Sequence, residues 1–258
     1  MRNTTNARRC KAGALALALC LAAALSHADT APRGSANMNT NRTTSDTLSL
    51  RQQAIVPMAA FAAAGDIARL NTALEQGLDA GLAVNDAKEI LVQVYAYAGF
   101  PRSLNALGEL MKVVEARRQR GVQDQPGRLP SRPIPTGDAL LEAGTANQTK
   151  LAGAPVKGAL FDFAPAIDEY LKTHLFGDVF ERDNLDWQSR ELATVGMLSA
   201  LAGAESQLQS HMRISMNVGI TAAQLGQLAQ VLAQRVDADA ARRAREALHR
   251  ALAARPAR

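Results

Sequence analysis

Cysteine is nearly missing from this sequence. The 258 residues hold two, Cys10 and Cys20, and both lie in a leader read below as removable. The remaining chain has no thiol, which excludes disulfides and a cysteine nucleophile. Aromatic residues make up only 4%, so there are few platforms on which nucleic-acid bases could stack. A charge excess is missing too. The formal charge of +5 comes from 29 basic and 24 acidic residues. Four of the basic residues (Arg2, Arg8, Arg9 and Lys11) and no acidic one fall in the first 28 positions, leaving 25 against 24. The pI near 9.6 is therefore a property of the leader and no argument for a nucleic-acid partner. His174, His211 and His249 stand far apart, with no HxH or HxxxH pair to ligate a metal. No glycine-rich phosphate loop and no GxSxG elbow is present. The expectation is chemistry without metal or cofactor.

The leader has a basic start, the apolar run "AGALALALCLAAAL" and the small-residue site "SHA" at residues 26–28. This is the pattern of a secretory signal peptide cleaved after Ala28, too short for a spanning helix. Leu19 precedes Cys20, where lipidation requires a small residue. The expected location is periplasmic or secreted, with no membrane attachment after cleavage. Residues 29–50, rich in Thr, Asn and Ser, read as a disordered lead-in.

From Arg51 onward Ala and Leu dominate and no period-2 alternation is sustained, so the fold class is all-α. Residues 51–120 read as a first helical repeat, with helices over 72–78, 86–98 and 102–118. Residues 121–158 carry five prolines and several glycines and read as a connector holding at most one short helix, near 138–143. Residues 159–258 read as a second repeat, with helices over 163–180, 187–202, 205–216, 221–234 and 239–254. Thr221 and Gln224 match a capping box. Residues 89–111 and 191–216 share a helix–corner–helix layout around an Ala-Gly pair. Superposing Ala98–Gly99 on Ala202–Gly203 puts Leu107 on His211 and leaves Glu89 and Glu191 two positions out of register. Any chemistry then belongs mainly to the second copy.

In that copy Gln207, His211, Ser215 and Val218 fall on one helical stripe, and Glu191 lies on the preceding helix. Two helices joined by a short corner pack side by side. A carboxylate and an imidazole on such a pair can share a cavity and tune each other for proton transfer. By spacing alone, a lone histidine in a helical bundle is better explained as a packed, hydrogen-bonded residue than as a catalyst. His174 is a second candidate, and His249 reads as solvated.

The stretch "HLFGDVFERDNLDWQSRELATVGMLSALAGAESQLQSHMRISMNVGITAAQL" resembles the carboxymuconolactone decarboxylase family. It has an R-E-L segment, a corner, then a histidine followed by Arg and an N-x-G-x-T ending. "AKEILVQVYAYAGFPRSLNAL" resembles the upstream half of tandem members. The resemblance implies tandem helical-bundle repeats of the alkylhydroperoxidase-like kind, assembled as a homo-oligomer, commonly a trimer or hexamer. It also implies His211 and Glu191 as the catalytic pair. One branch of the family uses a CxxC pair, but those positions fall here on Ala204 and Gln207, so thiol peroxidase chemistry is closed to this chain. The other branch decarboxylates a carboxylated lactone without metal or cofactor. By that likeness, His211 would protonate the carbon left after loss of carbon dioxide, and Arg213 or Arg190 would anchor a carboxylate, with Gln207 and His174 nearby. The expected function is a lyase acting on a small carboxylated or lactone-like molecule. The alternative is a non-catalytic, ligand-binding or structural helical oligomer.

Overall fold

Every regular element of the structure, a computed structural model describing residues 46–254, is a helix. The first is α1 (Leu50–Ala64), started by a capping box in which Ser49 and Gln52 satisfy each other's backbone N–H groups. It is followed by α2 (Ile67–Asp79), capped by Asp66, then α3 (Val84–Gln93), the four-residue α4 (Tyr95–Ala98) and α5 (Phe100–Gln119). Pro101 opens α5, where its missing N–H costs nothing. After an irregular stretch come α6 (Asp138–Ala152), α7 (Ala159–Phe163) and α8 (Pro165–Tyr170). The last of these runs on into a π-helix, Leu171–Val179. Then follow α9 (Trp187–Ala200), α10 (Glu205–Asn217), α11 (Ala222–Arg235) and α12 (Ala238–Ala253). The capping box at Thr221 and Gln224 is present. The signal segment and most of the lead-in lie outside the described residues.

Two helices form the centre. Residues 54–63 of α1 and 189–199 of α9 are buried without a break. They pack against each other, and Gly196 permits the approach: a Cβ there would stand 2.8 Å from the Val56 carbonyl oxygen. Around this pair α1, α2, α3 and α5 pack among themselves much as α9, α10, α11 and α12 do. Contacts α1–α2, α1–α5, α2–α5 and α3–α5 are matched by α9–α10, α9–α12, α10–α12 and α11–α12. One hydrophobic core runs through both sets, from Ile55 and Leu74 to Leu228 and Ala247.

The correspondence has a different register from the sequence pairing. Pairing the helices by these contacts matches Gly65, after α1, with Gly203, after α9. From there a constant spacing without gaps sets Leu70 on Leu208, Leu74 on Met212, Ile90 on Leu228 and Ala106 on Ala244, each buried in both sets. Ala-Gly occurs at both corners of the first set, and the later one is a turn before α5 rather than the counterpart of the α9–α10 corner.

The connector also differs from expectation. Its helix is α6, fifteen residues long, and it lies against the π-helix. A Cβ on Gly144 would fall 1.8 Å from the Lys172 carbonyl oxygen, so the contact exists only because Gly144 has none. Leu151, Leu175, Phe176, Val179, Phe180 and Ile214 form a second, smaller core beneath this pair. The π-helix and α6 thereby roof part of α10.

Candidate active site

The α9–α10 corner brings the two expected residues into contact. His211 Nδ1 lies 2.8 Å from Glu191 Oε2, with Glu191 fully buried and His211 7% exposed. A carboxylate that accepts from Nδ1–H fixes the imidazole's tautomer and orientation. Nε2 is then the nitrogen turned to the cavity that His211 lines. The second Glu191 oxygen, Oε1, is buried without a hydrogen-bond partner, as is Ser215 Oγ one turn beyond His211. A buried unpaired oxygen is costly in a structural ion pair.

The cavity measures about 500 Å³. Its walls are mostly apolar: Leu198 of α9 and Leu201 just after it, Leu171, Leu175 and Phe176 of the π-helix, Ile214 of α10. Polar groups enter at few points, namely His211, Ser210, Gln207 and Arg213 from α10, Tyr97 from α4 and Gln148 from α6. An apolar pocket with a few convergent polar groups suits a small organic molecule. Arg213 is exposed, with one bond to Ser210 Oγ (3.2 Å), leaving most of its guanidinium available at the rim. Gln207 is also exposed, and its Oε1 accepts from Ser206.

Two expected binding residues are elsewhere. Arg190 is wholly buried and points the other way, into a network between α3 and α9. Its Nη2 donates to Glu89 Oε2 (3.1 Å) and to the Arg182 carbonyl (2.8 Å). Glu89 also takes a fork from Arg182, at 2.7–3.0 Å. Burial works to raise the Glu89 carboxyl, but the bonds from Arg182 and Arg190 outweigh it and hold it below the usual range. Burial pushes Arg190 down, with Glu89 opposing. The arginine next to Glu191 thus serves the core, because a helix sends adjacent residues to different faces. His174 sits on the π-helix but outside the cavity lining, exposed and paired with Asp178 (3.2 Å).

Tyr97 and Gln148 were not candidates from sequence. The Tyr97 ring meets the His211 ring edge-on, with centroids 5.6 Å apart and planes at 78°. Its hydroxyl lies 3.3 Å from Thr194 Oγ1, which in turn accepts from Gln93 (2.7 Å). Burial, and next the Glu191 charge, push the phenol far above its ordinary value. Tyr97 is therefore a neutral hydrogen-bond donor across the working pH range. In a sequence with three tyrosines, two of them in "VYAYAG", scarcity was the one available signal.

Among the described residues no three of His, Cys, Asp and Glu converge as a metal ion requires, and no helix is long and apolar enough to cross a membrane. No curated protein matches the chain. Residues 165–250 do match a family model, and that segment carries Glu191, His211 and Arg213 together with all of α9 to α11. The family whose model this segment matches, with the buried acid–imidazole pair on its helix corner, is the carboxymuconolactone decarboxylase family.

Proposed function

We propose that this protein performs cofactor-free acid–base chemistry, decarboxylation or a close relative, on a small carboxylated or lactone-like molecule. The observation that carries the reading is the 2.8 Å Glu191–His211 bond at the wall of an apolar cavity with Arg213 at its rim. Arg213 takes the retained carboxylate by paired hydrogen bonds. The scissile carboxylate leaves as carbon dioxide, and its bonding electrons delocalise over the remaining skeleton as an enolate. His211, oriented by Glu191, gives the Nε2 proton to carbon and takes a proton back from solvent. The apolar walls favour charge dispersal in this direction, since they solvate the departing carboxylate poorly.

A His211→Ala variant and the wild type, assayed against a panel of carboxylated lactones and related acids, test the reading. Wild-type turnover that falls by roughly 10²–10⁴ in the variant is expected. Equal turnover in both removes His211 from the mechanism. The absence of turnover on every acid favours the second reading, a ligand-binding helical protein without catalysis, which the largely apolar cavity lining also supports. Export after cleavage at Ala28 belongs to the same proposal, and N-terminal sequencing of the mature protein checks it. So does assembly as a homo-oligomer, supported by the exposed row Phe100, Leu104 and Met111 on α5 and checked by sedimentation.

A further inference from the structure

The family-matched segment starts at residue 165, yet the cavity wall includes a residue from far upstream. We infer that Tyr97, supplied by the N-terminal set of helices, is the hydrogen-bond donor to the oxyanion of the bound ligand, and that each chain carries one such site, shared between its two halves. The inference rests on the acid–base reading for the identity of that oxyanion, but not for the existence of the donor.

The placement of Tyr97 is specific. α4 is a single turn between α3 and Gly99, which has a positive φ of 82°, and it touches α9 directly. Gln93, one turn earlier, donates to both Thr194 Oγ1 and the Arg190 carbonyl, fixing this segment to α9 (2.7 and 3.0 Å). Tyr97 is thus held against His211 by packing from both sides. Its phenol group is neutral and has Thr194 Oγ1 at 3.3 Å, and Tyr97 lines the same cavity as His211.

The pseudo-equivalent positions show why there is one site and not two. In the register set by Gly65 and Gly203, His211 answers to Ala73, Glu191 to Gln53 and Tyr97 to Arg235. Gln53 spends its amide on the Leu48 carbonyl (2.8 Å). Arg235 is half-buried and bonds Gln76. The positions of the first set that answer to the site therefore hold no acid–imidazole pair, and the counterpart of Tyr97 is an arginine that reaches α2 from α11. Of these two paired positions, only Tyr97 meets a histidine.

The chemistry calls for such a donor. When carbon dioxide leaves and the C–C bond electrons move into an enolate, negative charge collects on an oxygen while the proton from His211 goes to carbon. A neutral O–H that cannot itself ionise stabilises that oxygen without competing for the proton. Donors of this kind contribute roughly 10²–10³ in turnover.

The test uses 4-hydroxy-3-nitrobenzoate, a planar carboxylate whose phenolate absorbs in the visible, with the full chain as wild type and as Tyr97→Phe. The variant keeps the ring that packs on His211, and a thermal melt verifies its fold. The expected wild-type result is binding at one probe per chain with the phenolate fraction raised above that of the free probe. In Tyr97→Phe the affinity falls roughly tenfold to a hundredfold and the phenolate band reverts toward that of the free probe. Equal affinity and an unchanged spectrum in the variant overturn the inference and leave the proposed function standing. Two probes per chain overturn the single-site claim. Failure of wild type to bind the probe overturns both readings. Tyr97-dependent binding in a protein that turns over no acid sustains the donor while removing the lyase.

Discussion

Replacing Glu89 by Gln leaves Arg190 as a buried cation without its counter-ion. Arg190 has no exposed surface, its Nε lacks a partner already, and its remaining bonds are to the Arg182 carbonyl (2.8 Å) and, at 3.4 Å, to Gln93 Oε1. Breaking a buried pair from one side costs about 3–5 kcal/mol, a large share of the roughly 5–15 kcal/mol that holds a domain together. For a chain of this size each kcal/mol corresponds to about 2–4 °C, so the melting temperature should fall by about 6–20 °C. Urea unfolding followed by circular dichroism gives the same quantity as a shift in midpoint at unchanged slope. Adding Arg190→Met to Glu89→Gln should recover most of the loss, because an apolar side chain has no charge to strand. The pH dependence follows from the lowered Glu89 value. Its stabilisation is complete above the usual carboxylate range near ~4.3 and disappears as pH falls through the still lower folded-state value. Glu89→Gln should therefore show a shallower loss of stability below about pH 4 than the wild type. A loss under about 1 kcal/mol for the single variant would refute the account, since only a solvated pair is worth so little.

Three further outcomes are expected. Gly144→Val forces α6 off the π-helix, where a Cβ has no room beside the Lys172 carbonyl; thermal melts should show a loss of about 1–3 kcal/mol. Asp186→Ala removes the α9 cap, whose side chain accepts from Ser189 N (2.7 Å) and Ser189 Oγ (3.1 Å); about 1 kcal/mol should be lost, measurable by urea midpoint. Arg213→Gln should raise KM for a carboxylated substrate at least tenfold with kcat kept, the pattern of lost uniform binding; steady-state kinetics separates the two constants.

The all-α class and most helix positions were legible because caps and Ala/Leu periodicity are local signals. Asp186, Thr221 and Pro101 mark their helix starts in the chain itself. α1 was harder to recognise as the central helix. It is buried all round, so it has no polar face to give it a period. The prolines and glycines of residues 121–158 hide most of α6, whose tight contact with the π-helix requires Gly144. The catalytic candidates split along the same line. Glu191 and His211 lie on adjacent helices of one corner, so sequence spacing predicts their meeting. Arg190 looked equally available, but its fate is decided by Glu89 and Arg182, 101 and 8 positions away. Tyr97 reaches His211 by packing between two helix sets, which no local pattern records.

The meeting of Tyr97 and His211 has a consequence for how the site responds to dilution. A cavity wall assembled from separate chains disperses when the protein concentration drops below their dissociation constant. Here both parts share one backbone, so the effective concentration of one for the other is fixed by the tether, on the order of millimolar even before packing contributes. The ring against His211 stays in place at nanomolar protein, and dilution leaves the site whole.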